Sequence, residues 1–96
     1  MSDNFETFKA FHTRWNTSMQ MHEKMQIAAK TDEVNYKGCI AFENGDIRNA
    51  TIYFERSLEI MPNNDDALKN LKLCYSEMRD NLNLQLVIRK LNHLGV

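Results

Sequence analysis

Two chain-reversing signals, Asn44-Gly45-Asp46 and Pro62-Asn63-Asn64, constrain this 96-residue chain more than any other feature. They bracket a stretch with helix-compatible composition. Glycine readily adopts the left-handed backbone that closes a helix. The aspartate after it can accept from the free amides of the next helix. Proline cannot continue a helix, because it lacks an amide hydrogen and clashes with the preceding turn. The sequence therefore predicts a helix ending at Asn44, a second from Asp46 to about Met61, and a third capped within Asn63, Asn64 and Asp65. Thr31 or Asp32 offers the oxygen cap that would start the first of these.

Within this frame, small residues sit where paired helices would touch: Gly38 and Ala41 on the first, Ala50 and Ser57 on the second. Tyr36, Phe42, Tyr53 and Phe54 are expected to fill the space between them. Three glycines, one proline and the lack of alternating apolar-polar runs point to an all-α chain. Its length suits one domain, residues 1–96.

The pattern of small residue, aromatic, Gly-Asp turn, Ala50, Phe54 and Pro62 resembles a tetratricopeptide repeat, a helical pair with a period of about 34 residues. The resemblance covers about residues 31–64 well. A looser second copy spans about 65–94. There Leu68, Leu71, Leu73 and Tyr75 take the apolar places, Lys72 stands for Gly38, Arg79-Asp80-Asn81 forms the turn, and Leu84 and Ile88 stand for Ala50 and Phe54. The architecture implied is a set of antiparallel helical hairpins stacked as a short right-handed superhelix.

Residues 3–30 carry no glycine or proline. Phe5, Phe8, Phe11, Trp15, Met19, His22 and Ala29 keep one helical phase, which fits a single long helix. Asn16-Thr17-Ser18, three poor helix formers, leave open a diverged hairpin. Met21, Met25 and Ile27 add apolar surface off that face. In the last helix, Leu84, Val87, Ile88, Leu91 and Leu94 make one face, and Leu82 and Leu86 point roughly the other way. The chain given ends at Val96 with nothing to cover that second face, so Met21, Met25, Leu82 and Leu86 are the expected self-association residues of a homodimer.

Chemistry is not written into the chain. His22-Glu23-Lys24-Met25-Gln26 misses the second histidine of a helical zinc site. His12 and His93 have no partners at metal-ligand spacing, and no glycine-rich phosphate loop is present. Asp65-Asp66 suits a helix start, where carboxylates complement the free amides. Cys39 and Cys74 are expected as free, mostly buried thiols on neighbouring hairpins. No catalytic, cofactor-binding or metal-binding residue is expected, and the chain is not expected to be an enzyme. A formal net charge of −1, with mixed signs along the chain, gives no basic stripe for nucleic acid. No run is apolar enough to cross a membrane. The N-terminus lacks the features of a signal peptide, which leaves the cytoplasm as the expected location.

The resemblance supplies the positive expectation, a protein or peptide as partner. In that family the first helix of each pair lines a concave groove. Here the groove would present Asp32, Asn35, Tyr36, Cys39, Phe42 and Glu43, then Asp66, Lys69, Asn70, Leu73 and Ser76. A subclass clamps a chaperone's C-terminal carboxylate with basic residues and asparagines. Lys69 and Asn70 match it in part, but Asn35 stands where a lysine is expected, and Cys39 and Leu73 where asparagines are. The clamp is not assigned. A groove with Tyr36, Phe42 and Leu73 beside scattered charges suits an amphipathic or extended segment.

Overall fold

A computed structural model describes residues 20–96. Among the described residues four helices follow one another: α1 (Met21–Glu43), α2 (Ile47–Ile60), α3 (Asp65–Glu77) and α4 (Asn81–Leu94). No strand occurs among the described residues. The helices pack as two antiparallel hairpins, α1 with α2 and α3 with α4. The hairpins are joined through α2 against α3, and α1 also touches α3.

The turns are built by the residues expected to build them. Gly45 sits at φ 79°, in the left-handed region. Asp46 caps α2: its carboxylate accepts from the Asn49 amide at 3.4 Å and from the Asn49 side-chain nitrogen at 2.7 Å. Pro62 follows the end of α2 and is buried, and Asn64 caps α3 by accepting from the Ala67 amide at 3.2 Å. The second hairpin reproduces the first at an offset of 34 residues. Asp80 accepts from the Asn83 amide at 3.3 Å and from its side chain at 2.8 Å. The Asp46 amide donates to Ala41, and the Asp80 amide to Tyr75. Arg79 takes the place of Gly45 and is held at φ 56°.

Helix α1 departs from the expected boundary at residue 31. It runs unbroken from Met21 to Glu43, so neither Thr31 nor Asp32 caps a helix. Thr31 is instead buried inside α1, and its hydroxyl donates to the Ile27 carbonyl at 2.8 Å. That bond satisfies the hydroxyl within the helix, which removes the reason for the chain to stop there. The covered stripe of α1 continues back through Val34 and Thr31 to the half-buried Ile27. His22 and Ala29, expected on the covered face, are exposed. The Asn16–Ser18 break and the aromatic run from Phe5 to Trp15 lie outside the described residues. At 1.5 Å per residue the 23 residues of α1 span about 34 Å and the 14 of α2 about 21 Å. Since Glu43 and Ile47 flank the same turn, α1 overhangs its partner by about 13 Å.

The core is formed by Ala50, Phe54, Leu68, Leu71, Cys74, Tyr75, Val87 and Leu91. Gly38 is buried, and a Cβ built on it would lie 2.6 Å from the Phe54 ring, so the ring rests on the glycine backbone. Tyr36 does not fill the space between helices as expected. It is exposed, while Phe42 and Tyr53 are half-buried. Phe54 fills that gap most fully because Gly38 lets its ring come flush with α1. Leu73 also misses its expected apolar place, since the α3 face toward the core is taken by Leu68, Leu71, Cys74 and Tyr75. Tyr75 ties the hairpins together by donating to the Glu55 carboxylate of α2 at 2.8 Å.

Candidate functional site

The candidate site is the face shared by α1 and α3. It is anchored where the Asn70 side-chain nitrogen approaches the Cys39 sulfur at 3.9 Å. This contact brings together two residues expected to share a surface from their places in the two repeats. Tyr36 lies one turn before Cys39 on α1 and is 67% exposed. Leu73 lies one turn after Asn70 on α3 and is 54% exposed. Phe42 is half-buried against the core, and Lys69 is exposed with its ammonium 3.5 Å from Asp65. Asn35 is the correction in this set. It is buried on α1 rather than displayed, and its side-chain oxygen has no hydrogen-bond donor.

Both thiols are free. Cys74 is buried in the core of α3, whereas Cys39 is only half-buried at the floor of the face. Burial pushes the Cys39 thiol above its ordinary pKa, and the carboxylates of Glu43 and Asp66 push it further. Burial likewise raises Cys74. A thiol held protonated is a poor nucleophile, so neither cysteine is set up to attack a substrate. Among the described residues no group of three histidine, cysteine, aspartate or glutamate side chains could hold a metal ion, and no helix is long and apolar enough to cross a membrane.

Of the residues expected to self-associate, Met21 and Leu82 are each 74% exposed and Met25 is 65% exposed. Leu86 is half-buried, because α4 turns it partly toward the rest of the molecule. The structure adds a feature the sequence reading missed: a shallow recess of about 320 Å³ between α1 and α2, bordered by Lys30, Lys37, Arg56, Tyr53 and Glu59. Lys30 and Lys37 both lie near Glu33, at 3.7 and 3.6 Å. The seven-residue spacing of the two lysines was the available signal, since it puts them on one side of a helix.

Comparison with protein families, with curated proteins and with solved structures finds no match for this chain.

Proposed function

We propose that this chain is a non-enzymatic protein-interaction module of the tetratricopeptide type, its hairpins stacked with a right-handed superhelical sense. The α1/α3 face holds a peptide or a partner helix. The observation that carries the reading is the exposure of Tyr36 and Leu73 on either side of the Cys39–Asn70 contact. A monomer gains nothing by holding a tyrosine and a leucine in water on a surface where two helices converge, whereas aromatic anchors beside polar groups suit recognition. The recurrence of the capping bonds after 34 residues supports the repeat reading.

The test is capture from native lysate with Tyr36, Lys69 and Asn70 replaced by alanine together. Partner capture is lost while helical content, read by circular dichroism, stays intact. Full retention of capture would reject the face.

A second reading is supported by the exposure of Met21, Met25 and Leu82. In it the chain is a self-assembling unit whose main partner is a second copy, with two-fold closure as the usual symmetry. A specific interface would bury on the order of 1,200 Å² in total or more. Sedimentation at micromolar concentration separates the readings, and a monomer there leaves the interaction module alone.

A further inference from the structure

We infer that the α1/α3 face takes a basic amphipathic helix, and that its apolar track continues past the paired hairpins onto the overhang of α1. This rests on the reading of that face as partner-binding and specifies the partner's chemistry.

The first support is phase. Because α1 is one helix from Met21 to Glu43, residues far apart in sequence share a side of it. At about 100° per residue, Met21, Met25, Asp32, Tyr36 and Glu43 all lie within about 60° of Cys39 around the axis. The two methionines, exposed on the overhang, are thus an extension of the Tyr36 track and not a separate patch. Methionine's flexible, polarizable side chain suits a surface that adapts to a partner helix.

The second support is where the charges lie. Asp32, Glu43, Asp66 and Glu77 are exposed. The first two share the Cys39 side of α1, and the last two lie within about 40° of Asn70 on α3. Glu43 lies one turn after Cys39 on α1 and Asp66 one turn before Asn70 on α3, and beside burial both carboxylates add to the rise of the Cys39 thiol's pKa. Cations are turned away or engaged. Lys30 and Lys37 lie about 160–180° from Cys39, beside Glu33 at the far recess. Lys69 is held by Asp65, and Lys24, at the edge of the face, is itself engaged. A chain of net charge −1 therefore carries a distinctly acidic binding side. An acidic tail would meet four carboxylates.

The experiment uses the full chain and two synthetic helical peptides with the same leucines at i, i+3, i+4 and i+7. One carries lysines at its polar positions and the other glutamates. Fluorescence anisotropy is expected to show the lysine peptide binding at least about tenfold more tightly than the glutamate peptide, with affinity falling as salt shortens the screening length. The triple change Asp32→Lys, Glu43→Lys, Glu77→Lys is at exposed positions and reverses the preference. Met21→Ser with Met25→Ser weakens the lysine peptide by about tenfold and leaves the preference unchanged. Lys30→Glu with Lys37→Glu changes neither. Equal or tighter binding of the glutamate peptide overturns the basic partner while leaving the face standing, provided that alanine at Tyr36, Lys69 and Asn70 still abolishes binding. Lysine-peptide binding that survives those three alanines overturns the face itself. Binding of neither peptide overturns the inference, and a dimer broken by the methionine changes would assign the track to a second copy.

Discussion

Replacing Gly38 with alanine sets two effects of opposite sign against each other, and the structure decides between them. Alanine in a helix interior is favoured over glycine by about 1 kcal/mol, because it has less backbone freedom to lose. Against that, the added Cβ would lie 2.6, 2.8 and 2.9 Å from three carbons of the Phe54 ring. Ordinary carbon contacts sit at about 3.5–4.0 Å. The ring would have to retreat by about 1 Å, yet it is 99% buried and enclosed by the core. Overpacking of this kind costs about 1–3 kcal/mol. The expected net result is a loss of up to about 2 kcal/mol, seen as a lower denaturant midpoint with an unchanged slope. The control is the same substitution in a Phe54→Leu background, where the ring edge is gone and only the helix preference remains. There Gly38→Ala should stabilise by about 1 kcal/mol relative to Phe54→Leu alone. This reversal of sign is a coupling between contacting residues. Stabilisation in both backgrounds, or the same loss in both, would refute the close Gly38–Phe54 contact as the feature that sets the first hairpin.

Ala50, fully buried at the same crossing, should tolerate leucine no better: Ala50→Leu is expected to cost about 1–3 kcal/mol, and an unchanged melting temperature would reject the pairing of α1 with α2. Arg79 holds a left-handed backbone that costs a non-glycine residue about 1 kcal/mol, so Arg79→Gly should raise the melting temperature by a few degrees, where a fall would deny the strain. Tyr75→Phe removes the donor to Glu55 while keeping the ring, and urea denaturation should show a loss of about 1 kcal/mol that disappears when Glu55 is already alanine.

The parts of the fold written in local chemistry were legible. Gly45, Asp46, Pro62 and Asn64 act through backbone conformation or bonds within a few positions, so their roles can be read from neighbours alone. The start of α1 was not legible, because Thr31 has two uses with the same residue: an oxygen cap at a helix end, or a hydroxyl bonded back to Ile27 within a helix. Only the packing of α1 beyond residue 31 selects between them. The site was half legible for a related reason. Repeat spacing put Cys39 and Asn70 on one surface, and they do meet. It also put Tyr36 and Leu73 on that surface, where they are exposed, but could not show that Asn35 would sink below it, since burial depends on the crossing of α1 and α3. Breaking α1 at residue 31 also hid the shared phase of Met21, Met25 and Tyr36.

The two hairpins show which features the architecture requires and which it lets vary. At an offset of 34 residues, Asp46 and Asp80 with their asparagines are retained, and so are the backbone bonds that close each turn. The contact residues are not. Ala41 becomes Tyr75, Ala50 becomes Leu84, and Gly38 becomes the exposed Lys72. Close approach in the first hairpin needs three small residues at once, because one large side chain among them would force the helices apart. In the second hairpin Tyr75 and Leu84 fill the gap with volume, so the glycine position loses its purpose and can face water as a lysine. The enlarged Tyr75 then gains a partner outside its own hairpin, the Glu55 carboxylate of α2. The residue that fills the second hairpin is thus also one that bonds the two hairpins together. That bond holds α3 against α2, and the Asn70–Cys39 contact joins the same two hairpins on the α1 side.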